Sequence, residues 1–322
     1  DGHNRIALTG LLSLAEGRRD GAKLCRCLKA LADLTIDPQE RCRLYRRLAV
    51  AARDLTFDLD LSATAYREVL NLEPDDLPAL GELAAIDRRR NDVSGLAWAL
   101  ENRARVAEAQ GDRRLAAGSL RELAQIYDLR LGRSAEALAV LERSVDLFHD
   151  EATQNDLATL ALRVDRPSLA RRALESILAR STGTESAEKT AELRARLGRA
   201  CELLGDTAAA IDHYAAAFPL RRLDDDLAVR LEALYRHAQQ HRELGALWAV
   251  RAQVLVHAGR PEDAAALHVK AAGMLRQSGD GPGAMTQLSA ALEVSPRGAM
   301  AADALTALAT LSYAARATTV VA

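Results

Sequence analysis

The chain has 322 residues, of which 49% are apolar and only 3% aromatic, and its formal net charge is -2. This near-neutral charge argues against a protein whose main role is to coat nucleic acid, because such domains carry a large basic excess. Alanine, leucine and arginine dominate, whereas runs of β-branched and aromatic residues are nearly absent, so the composition predicts an all-α protein. No stretch reaches the roughly 18 apolar residues needed to span a bilayer, and we expect no membrane insertion.

The start of the chain and its lysines give the few indications of source and compartment. The first residue is Asp1, and no basic segment followed by an apolar one opens the chain. We therefore expect a cytoplasmic protein, or a periplasmic one if an N-terminal leader has been removed. Lys23, Lys29, Lys189 and Lys270 are the only lysines among 43 cationic residues, a bias typical of GC-rich bacterial coding.

Helix-breaking residues divide the chain into short helices that we expect to pair as antiparallel hairpins. Asp37 and Pro38 illustrate one helix start, as an N-cap residue followed by a first-turn proline. The predicted pairs are about 10–17 with 19–34, 38–55 with 59–72, 77–90 with 93–110, 112–131 with 134–149, 151–164 with 167–180, 187–204 with 206–218, 225–238 with 242–258, and 261–277 with 280–294. A final unpaired helix lies within 297–322, and 181–186 is predicted to be a flexible loop.

The clearest copy of the hairpin lies between residues 197 and 217. Leu197 and Gly198 begin an apolar ridge, Gly205 breaks the helix, and Ala210 and Tyr214 return at helical spacing. The small residues are expected to let the two backbones approach closely, while the tyrosine ring fills the gap beyond them. This pattern resembles the tetratricopeptide repeat.

The position of Leu197 recurs along the chain in steps that alternate between about 34 and about 40 residues. The predicted equivalents are Thr9, Leu48, Leu83, Leu123, Leu157, Leu231 and Ala271. The repeat is therefore a double one of about 74 residues, covering 1–74, 75–149, 150–223 and 224–296. A second series, Tyr66, Leu141, Tyr214 and Leu288, marks the aromatic position of the second helix at the same period. Six additional residues add about 9 Å of helix, so every second hairpin is expected to project beyond its neighbours.

The resemblance implies a single right-handed superhelical solenoid over 1–322, with a concave groove lined by the first helix of each hairpin. In that family the lining falls two places before, and two, five and six places after, the Leu197-equivalent position. Carried onto this sequence, the groove residues are Arg46, Arg53, Arg88, Arg89, Arg121, Gln125, Asn155, Arg163, Arg199, Glu202 and Arg276. Because guanidinium groups bind carboxylates bidentately, the groove is expected to accept an acidic or C-terminal peptide. The alternative is that these arginines pair with neighbouring carboxylates of the same chain.

Two groups of polar residues in the last third of the chain are candidate sites. His237 and His241 have a two-ligand metal spacing if their helix is continuous, against solvated or capping histidines. Asp224, Asp225 and Asp226 form a carboxylate cluster that also suits a helix N-terminus.

The tryptophans and cysteines also allow both a structural and a functional interpretation. Trp98 and Trp248 occupy equivalent positions, either as wedges in the core or as an outer anchor for a partner. The four cysteines, Cys25, Cys27, Cys42 and Cys201, fit no metal or disulfide framework and are expected to be core thiols.

The sequence favours a non-enzymatic scaffold that binds a protein or peptide, without a cofactor or a metal. No nucleotide-binding, zinc-protease or hydrolase motif occurs. A second hypothesis is an assembly segment of a longer repeat protein that self-associates through its uncapped ends, including the apolar C-terminal helix. RNA binding by helical repeats is disfavoured, since the charge is not basic and the repeat length alternates.

Overall fold

A computed structural model describes residues 5–180 and 186–321 of the chain, with the backbone alone from 314 onward. Within these ranges all regular structure is helical, and no strand occurs, which confirms the all-α prediction. The helices are α1 Arg5–Gly17, α2 Gly21–Leu34, α3 Pro38–Ala51, α4 Leu59–Leu72, α5 Leu77–Arg90, α6 Val93–Ala109, α7 Arg113–Leu129, α8 Ser134–Leu147, α9 Glu151–Arg163, α10 Pro167–Arg180, α11 Ala187–Leu203, α12 Thr207–Ala217, α13 Asp225–His237, α14 His241–His257, α15 Pro261–Gln277, α16 Gly281–Val294 and α17 Ala301–Val321.

Aspartate starts most of these helices, as an N-cap residue that accepts a hydrogen bond from the backbone N–H three places on. Asp37 does so for α3, in front of Pro38, and Asp206 does so for α12. Gly205, just before Asp206, has a φ of 75°, which lies in the left-handed region that favours glycine. The local signals that place the helix boundaries are therefore the expected caps and breaks.

The chain folds as two compact units, 1–164 and 165–322. In the first unit the apolar core is formed mainly by leucines and alanines from α1 to α9. In the second unit Tyr214, Tyr235 and Trp248 join the leucines and alanines of the core. That the whole of 1–322 forms one continuous domain stays a prediction. The predicted loop at 181–186 lies, apart from Ser186, outside the described residues.

The Leu197-equivalent position is buried in every later hairpin, but the first assignment is wrong. Leu48, Leu83, Leu123, Leu157, Leu197, Leu231 and Ala271 are all at most 2% exposed. Thr9 is exposed, and its hydroxyl donates to the carbonyl of Arg5. Its neighbour Leu8 is 6% exposed and lies 40 residues before Leu48. With Leu8 in this position, the alternation of long and short steps extends to the first hairpin.

The additional residues of the double repeat lie in adjacent helices of two different hairpins. In the first unit α6 and α7 have 17 residues each, while α5 and α8 have 14. In the second unit α14 and α15 have 17 each, between α13 with 13 and α16 with 14. The expectation that every second hairpin projects beyond its neighbours is therefore wrong for α5–α8 and α13–α16, where the long elements are the second helix of one hairpin and the first helix of the next; α2 and α10, which precede the other two long steps, have 14 residues each.

The hairpin of α11 and α12 has the close packing that its small residues predict. A Cβ atom on Gly198 would lie 2.8 Å from Cδ1 of Tyr214, so only glycine leaves room for the ring where it stands. Tyr214 is 2% exposed, and its hydroxyl donates to a carboxylate oxygen of Glu202 at 2.9 Å. Gly198 and Tyr214 thus act as a complementary pair that sets the distance between the two helices.

Candidate partner-binding surface

The first helices of successive hairpins lie side by side within each unit, and charged side chains join them. We call the side of α3, α5, α7, α9, α11, α13 and α15 that carries these groups the first-helix face. It holds the positions two before, and two, five and six after, the buried leucine. Arg53, in the helical turn that follows α3, pairs with Glu82 of α5, and Arg121 of α7 pairs with Asp156 of α9 at 2.7 Å. These pairs join neighbouring first helices of the first unit, and that the predicted groove residues form one binding surface stays a prediction.

Arg121 lies two places before its leucine, but Arg53 and Glu82 follow a rule in which the residue five places after one leucine meets the residue just before the next leucine. Arg88 and Glu122 form such a pair, with Nε of Arg88 donating to Oε1 at 3.1 Å. In the second unit the charges are exchanged, because Glu202 of α11 meets Arg230 of α13 at 3.1 Å. The ladder links neighbouring hairpins, as an exposed or half-buried pair can do at modest energy.

Six of the predicted groove arginines are engaged by carboxylates of the same chain. Arg46 reaches Asp76 at 2.6 Å and also Glu73. Arg163 pairs with Asp128, and this guanidinium holds the pKa of the Asp128 carboxyl below its usual value of 3.8. The engaged set is Arg46, Arg53, Arg88, Arg121, Arg163 and Arg199. An acidic ligand would have to compete with these internal partners.

The remaining predicted residues differ in their surroundings. Gln125 donates from Nε2 to Asp156 at 3.3 Å, and Asn155 accepts the hydroxyl of Thr159 at its backbone carbonyl. Arg89 and Arg276 are exposed, and no described carboxylate lies within ion-pair distance of either one. These two guanidinium groups are open to an external anion.

Glu202 is the centre of a polar cluster in the second unit. It accepts from Arg199 at 3.3 Å, from Arg230 and from the hydroxyl of Tyr214. Burial, and next the bond to Glu202, raise the pKa of Tyr214. The cluster fastens α11 to α12 and α13, so Glu202 holds the fold together in addition to facing the surface.

The sequence reasoning missed an apolar part of the first-helix face on α13. Val229 is 56% exposed and Ala233 is exposed one turn further on. They stand two places before and two after Leu231, so the same carry-over rule finds them once it is applied to α13. The positions that the same spacing rule matches on α13 and α15 are Arg236 and Lys270, which are both cationic and so cannot form an ion pair with each other. Arg236 pairs with Glu232 of its own helix at 2.5 Å, whereas Lys270 is exposed.

The two candidate histidines are separated by a helix break, and the aspartate cluster serves as a helix cap. α13 ends at His237 and α14 begins at His241, so the two histidines share no continuous helix face. Asp224 caps α13 by accepting from the N–H of Leu227 at 3.1 Å, which is the structural role expected of it. Among the described residues, no group of three or more histidine, cysteine or acidic side chains is placed to hold a metal ion.

Burial decides between the alternative roles of the four cysteines and the two tryptophans. All four cysteines are buried and free, as expected for core thiols. Trp248 is 5% exposed and carries the guanidinium of Arg236 5.4 Å from its ring centre. Trp98 is 47% exposed, so its expected role as a core wedge is wrong although its position in the repeat is equivalent.

Paired helices, buried leucines at a double period and the glycine–tyrosine contact together define the architecture. In fold, the chain is a tetratricopeptide-like helical repeat protein. Helices with the length and apolar character needed to cross a membrane do not occur in the described part of the chain. No protein-family model matches the sequence, and no curated protein matches it.

Several solved structures are similar to this tetratricopeptide-like chain at low sequence identity. The TPR2AB domain of yeast Sti1, in its complex with pHSP90, is 13% identical, with a TM-score of 0.46, over 85% of this chain and 99% of that one. A tetratricopeptide repeat protein from Parabacteroides merdae is 13% identical, with a TM-score of 0.37, over 83% and 98% of the two chains. MamA is 17% identical, with a TM-score of 0.39, over 56% and 92%. At these values the similarities carry no functional argument.

Proposed function

We propose that the protein is a non-enzymatic scaffold that binds a partner protein or peptide along the first-helix face. The proposal rests on a difference among the cations of this face. Some of them pair with carboxylates of the same chain, whereas others are exposed and open to the carboxylates of a partner. Arg276 and Lys270 are exposed cations on α15, and Val229 and Ala233 are exposed apolar side chains on α13. A segment with acidic and apolar residues complements such a surface, since guanidinium and ammonium groups bind carboxylates.

The predicted groove residues define the proposed path of the partner along each unit. In the first unit Arg89 is open, while Arg53, Arg88 and Arg121 would bind an acidic segment only by exchanging Glu82, Glu122 or Asp156 for the carboxylates of the partner. A stacked helical array presents these groups without ordering a flexible loop, so binding loses little conformational entropy. The partner would therefore be recognised by a preformed surface.

The test is a titration of the 322-residue protein into a fluorescein-labelled ten-residue peptide with two leucines followed by four glutamates. We expect saturable binding that weakens by about tenfold or more in the double variant Lys270→Glu, Arg276→Glu. Arg242→Glu is the matched control, because Arg242 is an exposed cation on α14, a second helix of the same unit. An equal loss in Arg242→Glu would reduce the effect to net charge and contradict the proposal.

A further double variant addresses the alternative in which the arginines serve only the fold. Arg121→Glu with Arg199→Glu leaves Lys270 and Arg276 in place but reverses two engaged guanidinium groups. Unchanged peptide affinity assigns these two arginines to the internal pairs with Asp156 and Glu202. Weakened affinity assigns them to the partner surface.

A second candidate function is self-association through α17. Leu305 is 56% exposed and Tyr313 is 78% exposed on this helix, which offers an apolar surface for a second copy. Sedimentation velocity over a range of protein concentrations tests it. Leu305→Asp should abolish any dimer that forms, and a strict monomer at all concentrations would exclude this function for the chain.

A further inference from the structure

The outer side of the first hairpin contains an apolar groove of about 510 Å³ between α1 and α2. Leu8, Ala15 and Cys27 form its floor and are each less than 9% exposed. Leu11 and Leu14 form its wall and are 52% and 59% exposed. Two half-exposed leucines beside a buried apolar floor are unusual on a solvent-facing helix, and they mark an interaction surface.

The position of Leu11 in the repeat indicates which kind of secondary structure fits this groove. Leu11 stands three places after Leu8, and the equivalent residue of each later first helix in the unit is buried. These residues are Ala51, Ile86, Ile126 and Leu160, with exposures of 6%, 1%, 7% and 4%. Because regular structure in the described part of this unit is helical, helices provide that burial. The wall of the groove is therefore shaped to receive a helix.

One end of the groove is cationic. Arg18, Lys23 and Arg26 line the end near the turn between α1 and α2, together with Asp20. Lys23 pairs with Asp20 at 2.8 Å, and Asp20 also accepts the N–H of Lys23 as the N-cap of α2. One carboxylate thus stands against three cations, which leaves an excess of positive charge at this end. The other end is lined by leucine and alanine side chains.

We propose that this groove docks an amphipathic helix of a partner protein that carries acidic side chains at one end. The stretch of α1 from Leu8 to Gly17 extends over about 14 Å, which corresponds to about nine residues of a docked helix. Leucine-type side chains one turn apart would bury Leu11 and Leu14, while glutamates or aspartates at one end would meet Arg18 and Arg26. The residues that line this groove do not belong to the predicted groove set, although Leu14, six places after Leu8, stands at the position on α1 that corresponds to Arg89 on α5.

The probe is a pair of labelled 14-residue helical peptides with leucines at positions 1, 4, 8 and 11, one with glutamates in its first turn and one with glutamates in its last turn. Each is titrated into the 322-residue protein by fluorescence anisotropy. We expect one of the two to bind, and a version with serines in place of the leucines not to bind. Leu11→Asp should weaken binding by about tenfold or more.

Charge reversal gives a second, independent variant. Arg18→Glu with Arg26→Glu should reject the glutamate peptide and accept the same peptide with lysines in place of the glutamates. Arg43→Glu is the matched control, because Arg43 is 76% exposed on α3 and lies away from the groove. Circular dichroism of each variant verifies that the helices are retained.

Four results would overturn the proposal. No binding by either leucine peptide excludes the docked helix, and equal binding to wild type, Leu11→Asp and the charge-reversed protein excludes this groove. Loss of self-association in Leu11→Asp, without peptide binding, assigns the groove to a second copy. Binding to vesicles of anionic phospholipid that is lost in Leu11→Asp, again without peptide binding, assigns it to a membrane surface.

Discussion

Gly198 offers a sharp test of how closely the two helices of the clearest hairpin approach. In Gly198→Ala the new Cβ would lie 2.8 to 2.9 Å from three atoms of the Tyr214 ring. Overpacking of this kind costs about 1 to 3 kcal/mol. Alanine is favoured over glycine inside a helix by about 1 kcal/mol, which offsets part of that cost. We therefore expect a net loss of up to about 2 kcal/mol in the free energy of unfolding.

Gly273→Ala is a reference variant that gains helix propensity without overpacking, so the propensity contribution can be subtracted. Gly273 lies inside α15 of the same unit, and a Cβ on it would meet no atom within 4 Å. This variant should be more stable than wild type by about 0.5 to 1 kcal/mol. The difference between the two variants in urea unfolding, followed by circular dichroism, is then the overpacking cost alone.

The sequence itself supplies the compensating change. Ala272 and Leu288 occupy the positions of Gly198 and Tyr214 in the last long repeat, and both are buried. Tyr214→Leu in the Gly198→Ala background should therefore recover stability, with a favourable coupling energy in a double-mutant cycle. If Gly198→Ala were as stable as Gly273→Ala, or if the two changes were additive, the contact with the ring would not limit the packing of this hairpin.

Two further predictions concern charge and burial. The pKa of Asp128 is lowered by Arg163, so this pair stabilises the fold above the ordinary pKa of 3.8, and the stabilisation is lost as the pH falls through the lowered value. Arg163→Gln should accordingly be less stable at pH 7 by at most about 1 kcal/mol, and a difference in stability that does not shrink as the pH is lowered through the acid range would contradict this. Trp248→Ala should cost about 3 to 5 kcal/mol, whereas Trp98→Ala should cost less than about 1 kcal/mol, as measured by urea unfolding; similar losses would refute the assigned difference in burial.

Helix positions were predictable because they depend on local chemistry. Asp37 and Asp224 cap helices as predicted, Asp206 caps a further one, and Gly205 ends a helix in the left-handed conformation. The periodic leucines were predictable because positions that are buried at a regular spacing along the chain require apolar side chains. Thr9 was misassigned because α1 offers two register choices, and only packing shows that Leu8 is the buried one.

Burial and ionic partners across hairpins were not predictable from one helix at a time. Trp98 and Trp248 are equivalent in sequence, yet one is half-exposed and the other is in the core. That the predicted groove arginines form a binding surface stays a prediction, and their pairing with carboxylates depends on which residue the next hairpin places opposite. The pair of cations at Arg236 and Lys270 is visible only when two hairpins are compared.

The central claim, that a partner binds on the first-helix face, is tested most directly by site-specific photo-crosslinking in cells that naturally contain the protein. A photoreactive amino acid replaces either Val229 on α13, which is 56% exposed, or Val256 on α14, which is 40% exposed. Both sites are exposed valines of the same unit, but only Val229 is on the first-helix face. We expect one defined protein partner to be captured from position 229 and none from position 256. Capture of the same partner from 256 alone, or from neither position while the intact protein binds it, would contradict the account.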